Sequence, residues 1–211
     1  MPVVGGPWDS ADEIDFDALP EQFVLKCTHD SGGVVICRDK AAFDREAAKA
    51  KLAKALKRNF YWANREWPYK DVKPRVFAER YMQNDGTSQE LTDYKFCCFN
   101  GSAECVLACF DRASGDPKFY FFDRSWQLLR VNKRGLEAPD DFTVPKPDCI
   151  QEMFTLAERL SEGFPFLRVD LYESFGHIYF GELTLYPSGG VDPNYTPEAD
   201  RRFGDLIPLN H

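Results

Sequence analysis

Polar residues occupy alternate positions in two apolar segments near the end of the chain. Arg168 and Asp170 lie in the first segment, and Glu182 and Thr184 lie in the second. Side chains two residues apart on a β-strand share a face, so each pair should point the same way. If the two strands are neighbours, both carboxylates can converge on Mg²⁺, which prefers oxygen ligands. An ion-pair cluster on an exposed face explains the spacing equally well.

A second candidate is the glycine-containing segment that follows Lys26. Residues 28–33, THDSGG, lie between two apolar runs, and their backbone N–H groups could bind a phosphate while Lys26 supplies a positive charge. The segment lacks the nucleotide-binding patterns GxxxxGK[ST] and GxGxxG, and the next run is typical of a strand rather than a helix. A two-glycine hairpin turn is the commoner explanation, and His29 is more often a loop residue than a base.

A third candidate is the run DYKF, in which Asp93 and Lys95 share one strand face, with Arg112 on the next strand. Alternation on a half-exposed strand explains these charges equally well. The order of the features is more informative than any one of them. Lys26 and its glycine loop come first, then an acidic strand end at Glu79, the D-x-K strand, and the R-x-D and E-x-T strands.

The elements that must position these residues follow from apolar periodicity and turn residues. In chain order we predict an irregular segment over 1–20, a hairpin over 23–37, an amphipathic helix over 40–60, a strand over 75–82, a three-stranded meander over 91–122, a helix from 150 to 160, and strands over 166–172 and 177–185. Asn100-Gly101 indicates a hairpin turn in the meander. Asp148 is the expected N-cap of the second helix, and Gly163 lies beyond its end.

Composition excludes several classes of protein. The chain has 211 residues, 15% aromatic residues and a mean hydropathy of -0.45, without an apolar run of the roughly 20 residues that span a bilayer. We therefore expect a compact soluble protein without stable membrane insertion. The net charge of -8 argues against nucleic acid as a partner. Seven cysteines without zinc-type spacing indicate reduced thiols in a cytoplasmic protein.

The order and wording of these motifs resemble the TupA-like ATP-grasp family of teichuronopeptide biosynthesis, from about Trp8 to Leu209. The segments that carry the resemblance are FVLKCTHDSGGVV, ERYM, LTDYKFCCFNG, FFDRSW, FLRVDLY and IYFGELTLYPSGG. The resemblance implies an α+β fold with two subdomains, over 21–78 and 79–211, that have mainly antiparallel sheets and flanking helices. It also implies ATP-dependent carboxylate–amine ligation through an acyl phosphate, on a surface-polysaccharide or saccharide precursor.

The same resemblance implies a role for each candidate residue, with ATP and Mg²⁺ as cofactors. For the nucleotide, it assigns Lys26 to a phosphate, Ser31, Gly32 and Gly33 to a flap over the phosphates, Glu79 and the backbone near Tyr81 to adenine, and Asp93 to the ribose or a nearby polar contact. For the chemistry, it assigns Lys95 to the basic position of the D-x-R/K strand, Arg112 and Arg168 to the transferring phosphoryl group, and Asp170, Glu182 and Thr184 to the metal.

Two departures from the family pattern bear on function. Many ATP-grasp ligases have E-x-N where this chain has Glu182-Leu-Thr184, and a threonine hydroxyl is a weaker ligand than an amide. The family also has a segment ahead of the residues that match here, so a separate N-terminal subunit or a homo-oligomer is expected if this chain acts in a larger enzyme. The alternatives to a ligase are a non-catalytic or split nucleotide-binding partner protein and an ATP-grasp kinase.

Overall fold

A computed structural model describes residues 1–83, 91–111 and 115–208. The chain divides into two compact units. Unit 1 comprises Met1–Met82 and Ser188–Gly190, and unit 2 comprises Gln83–Pro187 and Val191–His211. The strand that begins at residue 76 pairs within unit 1, whose first segment ends at Met82.

Unit 1 contains a four-stranded antiparallel sheet in the order β1-β4-β2-β3. Its strands are β1 (Val3–Trp8), β2 (Phe23–Cys27), β3 (Val35–Cys37) and β4 (Val76–Arg80). Its helices are α1 (Arg45–Leu56) and α2 (Phe60–Asn64), and short 3₁₀ turns cover Ala11–Glu13 and Trp67–Tyr69. Leu25, Val76 and Ala78 pack with Leu52 and Ala55 of α1 to form the core.

The first 20 residues correct the sequence prediction in part, because they contain the strand β1 and a 3₁₀ turn. β1 pairs with β4, with Val3 opposite Glu79 and Trp8 opposite Val76. Two register shifts interrupt this pairing around Gly5, and they hide the alternation that would identify a strand. Apolar side chains beyond β1 join the core of unit 1, and they are Ala11, Ile14, Phe16 and Leu19.

The predicted helix over 40–60 is also shorter in the structure. Asp44 caps the start of α1, where its carboxylate accepts a hydrogen bond from the Ala47 N–H at 2.9 Å. α1 ends at Leu56, and Asn59 begins α2 by accepting a hydrogen bond from the Tyr61 N–H at 3.0 Å. The capping side chains Asp44 and Asn59 therefore begin two separate helices, α1 and α2, where one long helix was predicted.

Unit 2 contains a six-stranded antiparallel sheet in the order β10-β9-β5-β6-β7-β8. Its strands are β5 (Asp93–Phe99), β6 (Ser102–Phe110), β7 (Lys118–Phe122), β8 (Leu128–Leu129), β9 (Phe166–Ser174) and β10 (His177–Thr184). Its helices are α3 (Lys133–Glu137), α4 (Ile150–Leu160) and α5 (Pro197–Asp205). The meander and the terminal hairpin predicted from sequence are confirmed. Among the described residues, no helix is both long and apolar enough to cross a bilayer.

Helix α4 covers one face of this sheet, which we call the α4 face. Phe154 and Met153 are fully buried there against strand residues that include Phe96 and Leu171. The predicted N-cap is wrong, because the residue at that position is Cys149 and no side chain caps the helix. The Ile150 N–H instead donates to the Pro147 carbonyl at 3.1 Å, so a backbone turn starts the helix.

The opposite face of the sheet is divided into an apolar part and a charged part. Helix α5 covers the apolar part, where Phe203 stacks on Phe99 with ring centroids 5.6 Å apart. Cys97 and Cys105, paired across β5 and β6, are buried in the same cluster. Along β5, the next residues on this face are Lys95 and Asp93, so the strand runs from an apolar to a charged environment.

Two buried thiols and a buried phenol should make the fold lose stability in alkaline solution. Burial raises the pKa of Cys27 to about 11, and it raises the pKa of Cys98 and of Tyr94 to about 12. Above pH 9 the unfolded chain releases protons that the folded chain keeps, so the free energy of unfolding falls as the pH rises. Urea unfolding under reducing conditions should show a loss of about 1 kcal/mol for each of the two thiols between pH 8 and pH 10. Cys98→Ala should flatten this dependence, and an unchanged slope in that variant would show that Cys98 does not contribute.

Candidate functional site

Strands β9 and β10 bring together the four polar residues of the R-x-D and E-x-T pairs. Glu182 lies opposite Asp170, and Thr184 lies opposite Arg168. The Arg168 guanidinium donates to Asp170 through Nε at 2.7 Å and through Nη2 at 2.8 Å. The same Nη2 lies 2.9 Å from Glu182 Oε1 and 2.9 Å from Thr184 Oγ1. The Thr184 hydroxyl donates to Glu182 Oε1 at 2.8 Å, so one arginine organises the other three side chains.

A β-bulge at Gly181 makes this arrangement possible. Before it, Phe180 lies opposite Leu171 of the α4 face, whereas after it Glu182 lies opposite Asp170 of the other face. The extra residue therefore moves Glu182 and Thr184 away from the α4 face. A Cβ at position 181 would lie 2.7 Å from the Tyr172 ring and 2.9 Å from the Asp170 carbonyl oxygen, so the bulge requires glycine.

Strand β5 adds Asp93 and Lys95 to the same face. Lys95 lies opposite Asp170, and its Nζ is 2.7 Å from Asp93 Oδ2 and forms a second ion pair with Asp170 Oδ2. Asp170 thus lies between two cations from two strands. We call the six residues Asp93, Lys95, Arg168, Asp170, Glu182 and Thr184 the charged cluster.

Burial differs sharply within the charged cluster. Asp93 and Asp170 are only 1% exposed, whereas the Glu182 side chain is 50% exposed. Burial alone would lower the pKa of the Lys95 ammonium, but the carboxylates of Asp170 and Asp93 outweigh it and raise that pKa. Burial would also lower the pKa of the Arg168 guanidinium, but the carboxylates of Asp170 and Glu182 outweigh it and raise that pKa above its ordinary value. Both cations therefore stay charged at neutral pH.

The donor set fits a magnesium ion that keeps part of its water shell. Asp170 and Glu182 supply carboxylate oxygens and Thr184 supplies a hydroxyl, whereas Mg²⁺ typically takes only one or two protein carboxylates beside phosphate and water. Over residues 1–83, 91–111 and 115–208, no group of three or more His, Cys, Asp or Glu side chains is arranged to hold a metal ion. The same carboxylates are engaged by Arg168, so a bound cation would have to share them with that guanidinium.

In unit 1, Lys26 and Glu79 form an ion pair of 2.7 Å on the sheet face opposite the core. The resemblance assigns them to different parts of a nucleotide, and the structure places them side by side on β2 and β4. The Tyr81 N–H is directed at the Gln22 carbonyl at 3.5 Å, and the Arg38 guanidinium lies 5.7 Å from the Tyr81 ring centroid.

The loop at residues 28–33 is anchored to the end of α1 by His29. Its Nε2 lies 2.9 Å from the Arg58 carbonyl and 3.3 Å from the Ala55 carbonyl. Because both partners are acceptors, Nε2 carries the hydrogen. His29 is 1% exposed, so it serves as a structural anchor and not as a surface loop residue. Sequence reasoning missed this role because the two carbonyls lie 26 and 29 residues away.

The three residues assigned to the phosphate flap have different environments. Ser31 and Gly32 are exposed, and Gly32 has φ = +119°, which favours glycine. Gly33 is buried instead, and a Cβ there would lie 2.8 Å from Asp30 Oδ2 and 3.0 Å from the Ala55 Cβ. Ser31 and Gly32 therefore form the accessible tip of the loop, and Gly33 packs against α1. Arg112, the remaining candidate, lies outside the described residues.

Tyr195 and the neighbouring thiols of Cys97 and Cys105 lie beside the charged cluster. Sequence reasoning did not identify them as part of the site. Cys97 is directly opposite Arg168 on β9. A hydrogen bond from Cys105 and the charge of Arg168 lower the pKa of the Cys97 thiol, although burial opposes them. Burial and the neighbouring thiols raise the pKa of Tyr195. Tyr195 reaches this position through an isolated bridge to Asn132, which no local pattern indicates.

The two antiparallel sheets with flanking helices agree with the α+β fold that the resemblance implies. The model of the TupA-like ATP-grasp family matches residues 1–208. The chain belongs to that family. A search of curated proteins finds no match.

Solved structures give weaker similarities. D-alanine–D-alanine ligase from Bacillus anthracis complexed with ATP is 16% identical, with 92% of this chain and 54% of that chain covered and a TM-score of 0.48. The ATP-grasp ligase PsnB, complexed with a phosphomimetic variant of its minimal precursor, Mg and ADP, is 12% identical, with 98% and 53% covered and a TM-score of 0.45. D-alanine–D-alanine ligase from Helicobacter pylori is 14% identical, with 93% of this chain and 51% of that chain covered and a TM-score of 0.42. The chain spans about half the length of these structures.

Proposed function

We propose that the protein is an ATP- and magnesium-dependent ligase that joins a carboxylate to an amine through an acyl phosphate. The observation that carries this proposal is the charged cluster of unit 2, in which buried cations and partly exposed oxygen ligands lie on one sheet face. Family membership supports ATP as the nucleotide. The proposed carboxylate belongs to a surface-polysaccharide or saccharide precursor, and the acceptor is an amino acid or another amine.

The cluster suits phosphoryl transfer to a carboxylate because that reaction brings two anions together. Arg168 and Lys95 are held in place by ion pairs and remain charged, so they can offset the negative charge that develops in the transition state. Asp170, Glu182 and Thr184 would hold magnesium, which when bound neutralises phosphate charge. Phosphorylation gives the carboxylate a leaving group, and the amine then displaces phosphate to form the C–N bond.

In unit 1, we assign phosphate binding to Lys26 and to the loop tip at Ser31 and Gly32. The Lys26 side chain is 29% exposed and paired with Glu79, so Lys26 would exchange one anionic partner for another when a phosphate binds. Glu79 would then be able to accept a hydrogen bond from adenine, together with the backbone near Tyr81. Gly33 contributes by packing the loop against α1.

The proposed location is the cytoplasm, where ATP is available and thiols stay reduced. Within residues 1–83, 91–111 and 115–208, the seven cysteines form no disulfide, and six of them are buried. Cysteines in this number without a disulfide among them are typical of a reducing compartment.

The test combines nucleotide binding with trapping of the intermediate. ATP with Mg²⁺ should raise the Tm, because a ligand that binds only the folded state stabilises it. Incubation with uronic-acid saccharides, ATP and hydroxylamine should then release ADP and form a hydroxamate. An absent Tm shift would refute nucleotide binding altogether. A Tm shift with a phosphorylated product but no hydroxamate would identify a kinase, and a Tm shift without ADP release would identify a non-catalytic nucleotide-binding partner.

A further inference from the structure

Unit 1 exposes a cluster of aromatic rings that the proposed ATP site does not use. Trp62 of α2 is 63% exposed, and Trp67 of the following 3₁₀ turn is 57% exposed. Tyr61 lies between them, with its ring centroid 4.9 Å from that of Trp62 and 5.7 Å from that of Trp67. Single exposed apolar residues are ordinary, but contiguous exposed rings mark a binding surface.

Two cations accompany these rings. The Arg65 guanidinium lies 5.3 Å from the Trp62 ring centroid and 5.6 Å from that of Tyr61. Lys70 Nζ lies 4.4 Å from the Trp67 centroid. Across residues 1–83, 91–111 and 115–208, neither cation has a carboxylate within 4.0 Å. Their charges are held against the rings by cation–π contacts and remain available to an anion.

The backbone holds these side chains in a defined arrangement. Asn59 accepts a hydrogen bond from the Tyr61 N–H, and its side-chain amide donates to the Lys70 carbonyl at 3.0 Å. Arg65 ends α2 with φ = 60°, and its N–H donates to the Tyr61 carbonyl at 2.7 Å. Such a left-handed residue brings the chain back sharply, so Arg65 lies beside the rings that precede it. The segment is therefore a built surface and not a loose loop.

The charge of the segment is opposite to that of the chain. Residues 54–70 contain five basic residues and one acidic residue, a net charge of +4 in a chain of net charge -8. The single acid, Glu66, is buried. A local positive patch on an acidic protein attracts a small anionic ligand at short range, while the total charge disfavours a long polyanion.

We infer that Trp62, Arg65, Trp67 and Lys70 form a binding platform for an acidic saccharide, one whose pyranose rings carry carboxylates. The C–H bonds on the flat side of a pyranose ring fit the electron-rich face of an indole. The planar guanidinium of Arg65 can pair with a carboxylate through two parallel hydrogen bonds, and Lys70 supplies a second charge. A neutral sugar would leave both cations unused, and a small inorganic anion would leave the rings unused.

The platform rests on the proposed function in one respect, since the bound saccharide would be the carboxylate substrate or the polymer that bears it. Single-stranded nucleic acid also stacks on aromatic rings, but its affinity depends on neutralising a phosphate at each nucleotide. Two cations on a chain of charge -8 suit the lower charge density of an acidic saccharide better.

Binding to the full chain without nucleotide tests the platform apart from catalysis. Hexagalacturonate should quench tryptophan fluorescence and bind at least tenfold more tightly than maltohexaose. W62A/W67A should weaken hexagalacturonate binding at least tenfold, and R65Q/K70Q should remove the preference over maltohexaose. The matched control is K54Q/R58Q, which removes two exposed charges of the same segment outside the platform and should change the affinity less than twofold. The Tm of each variant verifies folding.

Several results would overturn the platform. Equal losses of hexagalacturonate affinity in K54Q/R58Q and R65Q/K70Q would show diffuse charge attraction. Tighter binding of a ten-nucleotide oligothymidylate than of hexagalacturonate would identify a nucleic-acid surface. Absence of binding to either saccharide would refute a saccharide site. The proposed ligase is judged separately, by the Tm shift with ATP and Mg²⁺ and by hydroxamate formation. If those persist in W62A/W67A while hexagalacturonate never binds, the platform fails and the ligase stands.

Discussion

Replacing Glu182 with glutamine should lower the rate of ADP release at least about a hundredfold, while the Tm stays within a few degrees of that of the unaltered chain. Glutamine keeps the shape and the oxygen of the side chain but removes the charge that a magnesium ion requires. The fold should tolerate the change because the Glu182 side chain is 50% exposed and its ion pair with Arg168 contributes little to stability. Steady-state ADP release at saturating ATP and Mg²⁺ measures the effect.

The matched control for this variant is Glu152→Gln on the exposed side of α4, on the other face of the sheet. It makes the same chemical change far from the charged cluster, so its rate should equal that of the unaltered chain. ADP release by Glu182→Gln at the unaltered rate would remove Glu182 from the metal site. An equal loss in both variants would show that the assay reports general charge and not the site.

Asp170→Asn should lower the free energy of unfolding by roughly 3–5 kcal/mol, the usual cost of breaking a buried ion pair by removing one partner. Asp170 is 1% exposed and lies between Lys95 and Arg168, so its neutralisation leaves two neighbouring cations with less compensation. Urea unfolding near pH 7.5 measures the change. Because the fold itself weakens, loss of ADP release in this variant does not by itself identify a metal ligand.

A double-mutant cycle isolates the ion-pair contribution. Adding Lys95→Met to Asp170→Asn removes one of the two cations, so the double variant should be more stable than the sum of the two single losses predicts. Strict additivity would show that Lys95 and Asp170 do not interact energetically in solution. A loss below about 1 kcal/mol for Asp170→Asn would contradict the burial of the charged cluster.

The difference between these two carboxylates marks the limit of what the sequence shows. Period-two alternation correctly places Arg168 with Asp170 and Glu182 with Thr184, because alternation is a local property of a strand. Burial is not local. Asp170 lies on a central strand between β5 and β10, whereas Glu182 lies on the edge strand, and only the sheet order separates them.

Elements with regular periodicity were predictable, and those that depend on caps or irregular pairing were not. The meander and the terminal hairpin follow from alternation and from turn residues such as Asn100-Gly101. β1 escapes prediction because register shifts around Gly5 disrupt its pattern. The roles of His29 and Tyr195 depend on partners far away in the chain, which one sequence without long-range pairing information does not reveal.

The bulge at Gly181 has a consequence for comparing this protein with its relatives. Since β10 changes faces at that residue, deleting Gly181 would leave Glu182 and Thr184 on their present face, whereas regular pairing of Gly181 with Asp170 would turn both side chains towards α4. A homologue without the extra residue would therefore carry the acid that corresponds to Glu182 one position nearer to the turn that joins β9 and β10. Alignments of β10 should therefore be anchored on Gly181 and on its spacing from Glu182. Sequence identity alone would pair residues that face opposite sides of the sheet.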